Sequence, residues 1–250
     1  MAVEKDCPLC GGTGWQRVDK QGVPGVARCE CTKRDRLERL MEFARIPARY
    51  ADCELDGFAT GKSLTTASID QAKFVADTFV KEYPATGPLG LMFMGNPGVG
   101  KTHLAVGIIK MLIREKGVQC LFRTFPELLK EIQNSYNPIS KNSELSLLSP
   151  VLDATVLVLD EIGAQNPSSW VKDTVGYILN YRYNENLVTI LTTNFLDDER
   201  REDGKKGDGS CLTDRIGDRM RSRLYEMCKT IPMTGSDFRQ NVMHANFERM

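Results

Sequence analysis

The sequence predicts an α/β protein in which a parallel sheet carries helices on both faces, with a small metal-binding module in front of it. Three observations predict this. From about residue 51 onward short apolar runs alternate with helical patterns, the order that builds parallel sheets from crossover units. One of those runs opens directly into Gly95-Asn-Pro-Gly-Val-Gly-Lys-Thr102, a turn of the kind that cradles phosphate. Cys7, Cys10, Cys29 and Cys31 crowd into the first 31 residues, whereas Cys53, Cys120, Cys211 and Cys228 stand singly.

Composition narrows the function classes. With 250 residues, 41% of them hydrophobic, the chain can bury a real core and hold one large domain, or one plus a small module. Lysine plus arginine and aspartate plus glutamate both total 33. No bulk positive field then holds the protein to nucleic acid, and any DNA contact is a local patch. The opening MAVEKDC lacks the apolar run of a signal peptide, and no stretch approaches the roughly 18 apolar residues of a membrane span. The expectation is a cytoplasmic protein with no membrane contact. In that setting the eight cysteines read as reduced thiols or metal ligands, not as a disulfide framework.

The elements follow in order. In TKRDRLERLMEFAR, Leu37, Leu40, Met41 and Ala44 recur at helical spacing among charges, which predicts an amphipathic helix ended by Pro47. The domain boundary is expected there, with a module and linker helix over 1–47 and the larger domain over 48–250. Residues 66–81 are expected to be helical, 89–94 a buried strand, 102–116 a helix closed by Gly117, and 118–124 the next strand. A helix follows over 126–136. TVLVLD, 155–160, is almost wholly apolar, as suits the centre of a parallel sheet. Helical spacing returns over 168–184, strand character over 187–194, and 197–210 reads as a polar, solvated connector. Residues 212–227 are expected to form one helix with Leu212, Ile216, Met220, Leu224 and Met227 on one face. In that projection Arg221 points away to solvent and Arg223 falls inside the apolar stripe.

The chemistry centres on the cradle. Gly95, Asn96, Pro97, Gly98, Val99, Gly100, Lys101 and Thr102 match G-x-x-x-x-G-K-[ST] in full. Backbone N–H groups of such a turn converge on nucleotide phosphates, and glycines stand where side chains would block the approach. Lys101 supplies a point charge at the outer phosphates, the Thr102 hydroxyl ligates Mg²⁺, and the anion sits at the N-terminus of the following helix. Asp160 and Glu161 end an apolar strand at the edge where α/β sheets bind ligands. Asp160 is expected to support Mg²⁺, and Glu161 to orient and polarise the attacking water. Asn194, in TTN at the end of the next strand, is placed to hydrogen-bond the terminal phosphate or that water. An arginine inside an apolar stripe must snorkel, pair with an acid, or meet a charge from outside. For Arg223 a neighbouring subunit's γ-phosphate is one such outside charge, whereas the position taken alone favours an internal salt bridge.

GNPGVGKTHLA, VLVLDEIG, ILTTN and DRMRSRLYEM followed by DFR, in that order and spacing, resemble the AAA+ ATPases of the DnaC/DnaI/IstB group over roughly residues 50–250. Thr-His-Leu-Ala after the cradle lysine is characteristic of that group, so His103 belongs to the cofactor-binding helix start and is not a metal ligand. The resemblance implies an AAA+ P-loop core that works as a homo-oligomer with ATP at subunit boundaries. It assigns Lys101 and Thr102 to Walker A, Asp160 and Glu161 to Walker B, and Asn194 to sensor 1. Arg223 matches the arginine finger, with Arg219 as competitor, and Arg239 the sensor 2-type arginine. Only about 25 residues follow Tyr225, which leaves no room for the full helical lid of many AAA+ proteins.

Cys7-x₂-Cys10 and Cys29-x-Cys31 offer four thiolates able to close a tetrahedral Zn²⁺ site, although the C-x-C half departs from the usual knuckle. So few apolar residues do not fold without metal. A zinc-bearing module ahead of the ATPase resembles the DnaI-type loaders and implies docking on a replicative DNA helicase. The basic residues from Lys33 to Arg39 either line that contact or form a solvated helix face. The leading expectation is an ATP-dependent helicase loader that binds single-stranded DNA weakly through a local patch. The alternative is an IstB-like ATPase that assists a DNA transposase.

Overall fold

In a computed structural model of the protein, residues 7–20, 23–58, 66–85, 87, 89–137, 143–166, 168–197 and 211–240 are described. The solvated connector expected over 197–210 lies, beyond Asp197, outside the described residues.

The first regular elements among the described residues are the strands of an antiparallel hairpin, β1 (Trp15–Lys20) and β2 (Val23–Arg28), which pairs Trp15 with Arg28. It was not expected from the sequence, because Gly25 and Pro24 interrupt the alternation. A two-stranded ribbon consists of edges only, and there proline is tolerated. Helix α1 (Glu30–Phe43) follows. Its Leu37, Leu40 and Met41 lie against the main core, and just beyond it Ala44 is fully buried. The Ala44 carbonyl accepts the Phe122 N–H at 2.8 Å, so the helix is fastened to the edge of the sheet.

The larger part alternates α2 (Ala67–Glu82), β3 (Gly90–Gly95), α3 (Lys101–Lys116), β4 (Cys120–Thr124), α4 (Phe125–Ser135), α5 (Glu144–Asp153), β5 (Val156–Asp160), α6 (Ser169–Asn184), β6 (Val188–Thr193), α7 (Leu212–Ile216), α8 (Asp218–Met227) and β7 (Cys228–Met233). The five-stranded sheet has the order β4-β5-β6-β3-β7, with every pair parallel. Alternate strand residues point to opposite faces. Phe93, Val156, Val158, Ile190 and Ile231 therefore pack under α1, α2 and α3. Met92, Met94, Leu157, Leu159 and Leu191 pack under α4 to α8. Burial on both faces is why these strands read as unbroken apolar runs.

Two elements of the larger part were missed. In α5, Pro150 sits inside the helix and masks the periodicity, while Ser143 caps its N-terminus by accepting the Ser146 N–H. In β7, Pro232 sits in the edge strand, where a missing N–H costs least.

One expectation is corrected. Residues 212–227 are not a single helix: Gly217, at φ 87° and ψ 151°, separates α7 from α8. Arg221 is buried, not solvated, and Arg223 is half-exposed on a flank, not inside the stripe. Met220, Leu224 and Met227 form the buried face of α8. The two arginines stand on either side of it, so what covers each flank decides its burial. Arg221 meets Asp197, whereas the Arg223 guanidinium lies 5.8 Å over the Tyr183 ring.

Arg182 is the largest fully buried side chain. Its guanidinium donates to the carbonyls of Val151 (3.0 Å), Leu152 (3.0 Å), Ala154 (2.9 Å) and Val188 (2.6 Å), and to Thr189 Oγ1 (2.9 Å). It thereby satisfies the otherwise unpaired C-terminal carbonyls of α5 and joins them to β6. Among the described residues no helix is long and apolar enough to cross a membrane.

Candidate nucleotide site and thiolate cluster

The cradle leaves the C-terminal end of β3 and enters α3, as the spacing of its glycines requires. Gly95 has φ 149°, and a Cβ there would stand 1.9 Å from the Met233 carbonyl oxygen. Gly98, at φ 80°, faces the Asp237 carboxylate so closely that a Cβ would lie 1.8 Å from its Oδ1. The segment after β7 thus rests on the cradle. Phe238 N–H donates to the Gly98 carbonyl at 3.2 Å, and Arg239 N–H to Asp237 Oδ1 at 2.9 Å. The Arg239 side chain is exposed, yet its charge is felt at Lys101.

Lys101 is buried, and its Nζ donates to the carbonyls of Gly95 and Asn96, both at 2.7 Å. Burial pulls this ammonium down to about 8, against the opposing pull of Asp160. Thr102 Oγ1 donates to Asp160 Oδ1 at 2.9 Å, and Thr192 Oγ1 donates to the same oxygen at 2.5 Å. Burial raises the Asp160 pKa, and these two hydroxyls oppose it. Asp160 Oδ2 is buried with no hydrogen-bond partner among the described residues. An orphaned carboxylate oxygen beside a threonine hydroxyl is the donor set of a hard, oxygen-liganded divalent cation, so Mg²⁺ fits here.

Glu161 follows in the left-handed region at φ 60°, which a side chain rarely adopts. Its carboxylate is exposed, and its N–H donates to Thr192 Oγ1 at 3.0 Å. Thr192 therefore orders both acids. It was missed as a site residue although it lies within the TTN stretch, because its role arises from the β5–β6 register, where Leu159 pairs with Leu191. Pairing of Met94 with Thr193 brings Asn194 to the same edge as Gly95, and Asn194 is exposed there.

Near the cradle, Phe58 and His103 meet edge to face with centroids 5.2 Å apart, and His103 Nε2 lies 2.9 Å from the Glu54 carbonyl oxygen. Glu54 is held on α3 by the Arg114 fork at 2.7 and 3.0 Å and by an ion pair with Lys110. Arg219 and Arg223 lie on α8, Arg219 exposed, and no hydrogen bond joins either to Gly95–Thr102 among the described residues.

At the other end, the Sγ atoms of Cys7, Cys10, Cys29 and Cys31 all lie within 4.8 Å of one another. Cys7 and Cys29 stand 3.7 Å apart and Cys10 and Cys31 3.5 Å. Burial pushes the Cys10 thiol up, but the Gly14 N–H at 3.3 Å and the neighbouring thiols outweigh it and bring it to about 7. Burial and the neighbouring sulfurs push Cys31 up. Four soft donors converging on one point fit a single metal ion.

The family described as IstB-like ATP binding protein matches residues 26–245. The chain belongs to that family. Fold and family bear out the expected AAA+ P-loop core of the DnaC/DnaI/IstB group. The replicative helicase loader DnaI of Bacillus subtilis (strain 168) is 37% identical over 123 residues, 48% of this chain and 38% of the loader. This IstB-like chain therefore spans less than two thirds of that relative's length. The replicative helicase loader DnaC of Escherichia coli (strain K12) is 26% identical over 214 residues, 84% of this chain and 81% of that one. A crystal structure of the DnaC helicase loader superposes with a TM-score of 0.63 at 30% identity, covering 75% of this chain and all of that one.

The IstB-like cradle makes a pH-dependent prediction. With its pKa lowered to about 8, the Lys101 amine of the free protein is mostly neutral at about pH 9, where an ordinary lysine with a value of 10.5 would be charged, and a phosphate anion beside it draws the proton back. Nucleotide binding at about pH 9 should therefore take up a proton. Calorimetric heats should then differ between two buffers of different ionisation enthalpy, and identical heats would contradict the placement of Lys101.

Proposed function

We propose that this chain is an ATP-dependent loader of a replicative DNA helicase, and that it binds and hydrolyses ATP at the boundaries of a homo-oligomer in the cytoplasm. The observation that carries the ATP site is the orphaned Asp160 Oδ2 beside Thr102 and the cradle lysine. Lys101 exchanges the carbonyls of Gly95 and Asn96 for phosphate, while the amides of Gly95–Thr102 and the start of α3 at His103 hold the anion. Thr102 and Asp160 would hold Mg²⁺, which would supply positive charge to offset that developing on the transferred phosphoryl group. Glu161 orients the attacking water and takes its proton, Asn194 hydrogen-bonds the water or the phosphate, and Arg239 reads the nucleotide from the segment resting on Gly98. Arg223, with Arg219 as competitor, enters the pocket of the next copy.

In this reading residues 1–47 form the docking unit and 48–250 the ATPase. Cys7, Cys10, Cys29 and Cys31 hold zinc, which stabilises a hairpin too small to fold by burial alone. Single-stranded DNA is bound weakly by a local patch. Support for the loader reading comes from the relatives named as helicase loaders. The IstB-like family description favours a second reading, an ATPase that assists a transposase on duplex DNA.

Capture from lysate separates the two. The wild-type chain should carry one zinc and retain a hexameric helicase, and Cys10→Ser should lose both while still binding nucleotide. Retention of a transposase and no helicase would overturn the loader reading.

A further inference from the structure

Arg221 is the buried arginine of α8, between the exposed Arg219 and the half-exposed Arg223. Its guanidinium grips Asp197 through two nitrogens. Nε donates to Oδ1 at 2.5 Å, and Nη2 pairs with Oδ2. The Tyr225 ring lies 3.6 Å beneath the guanidinium carbon, and the Tyr225 hydroxyl donates to Asp197 Oδ2 at 3.1 Å. One carboxylate thus collects three hydrogen bonds from a single turn of α8.

Asp197 stands three residues beyond Asn194, on the segment leaving β6. The apolar face of α8 is already secured by Met220, Leu224 and Met227. A stripe of flexible side chains holds a helix against a core but leaves its rotation loosely set, whereas a planar fork on a carboxylate fixes both distance and angle. A buried pair of this kind is also costly to leave half-made, so the fork stays closed.

We infer that Asp197, through Arg221 and Tyr225, is a positioning residue that holds α8 so that its outer arginine reaches the nucleotide of the neighbouring copy. It ties that arginine to the strand end carrying Asn194, so a subunit's own nucleotide contact and the arginine it offers its neighbour move as one body. The inference rests on the subunit-boundary reading above.

Mixed assemblies test it. Asp197→Asn leaves its own cradle intact, so it should bind ATP like the wild type yet lose about a hundredfold in turnover, the scale of a small misplacement. Mixed in equal amounts with Glu161→Gln copies, which cannot hydrolyse ATP but carry a sound α8, the activity should recover. In a cyclic assembly the expected level is about a quarter of the wild-type rate, since half the pockets are competent and half of those meet a sound neighbour. Arg221→Lys, which keeps the charge and loses the fork, should behave alike and carries the test if Asp197→Asn does not fold. The control mixture pairs Glu161→Gln with the Arg219→Ala/Arg223→Ala double variant. Recovery in the control but not with Asp197→Asn or Arg221→Lys would overturn the inference alone, because the damage would then lie in the variant's own pocket. No recovery in the control would overturn the subunit-boundary reading and the inference with it.

Discussion

Glu161→Gln is expected to lower ATP turnover by about two to four orders of magnitude, the contribution of a positioned general base, while the nucleotide stays bound. The substitution keeps the size of the side chain and removes its ability to accept a proton. It leaves untouched the Glu161 N–H on Thr192 Oγ1 and the Asp160 carboxylate held by Thr102 and Thr192. Binding groups and the proton acceptor are thus separable at this site. Phosphate release and filter-retained nucleotide, measured on the same preparation, check it; undiminished hydrolysis would show that another group takes the proton.

The second large effect concerns stability. Among the described residues Arg182 makes five hydrogen bonds in the interior, four of them to backbone carbonyls and none to a carboxylate. Burial lowers its pKa to about 10, so it remains charged at neutral pH. Arg182→Met fills the volume with methylenes and leaves buried carbonyls of Val151, Leu152, Ala154 and Val188 without a donor, each at about 1–3 kcal/mol. The expected loss is about 3–5 kcal/mol, because neighbouring groups re-pair in part. Arg182→Lys should recover little, since one ammonium cannot reproduce a planar fork. The urea midpoint measures the change, and an unmoved midpoint for Arg182→Met would contradict it.

Why some features were legible in the sequence and others not follows from the range over which each is encoded. The cradle is local: glycines, Lys101 and Thr102 act through the backbone of eight consecutive residues, and the structure seats them between β3 and α3 as their spacing predicts. Asp160 and Glu161 were readable because a wholly apolar run ending in two acids leaves them only the strand edge. Thr192 was not, since its hydroxyl reaches Asp160 only through a β5–β6 pairing that joins positions 32 apart. Arg221 misled for two reasons. A continuous helix was projected through Gly217, where the chain turns, and the acid that buries the side chain lies 24 residues upstream. The hairpin, α5 and β7 each contain a proline at a position the fold tolerates, which erased the periodicity on which the reading depended. Arg182 did carry a signal: it falls on the same face of α6 as the buried Val171, Val175, Ile178 and Leu179, an arginine inside an apolar stripe. The carbonyls that receive it come from α5 and β6, however, and are not readable from the helix.

In the proposed assembly the nucleotide pocket is completed by a second copy of the chain. The most direct measurement is ATP turnover per chain as a function of protein concentration, followed alongside sedimentation with ATP and single-stranded DNA. Turnover per chain should rise steeply as assemblies form and fall away on dilution to the monomer. A full rate that is independent of concentration, in material that sediments as a monomer, would contradict it.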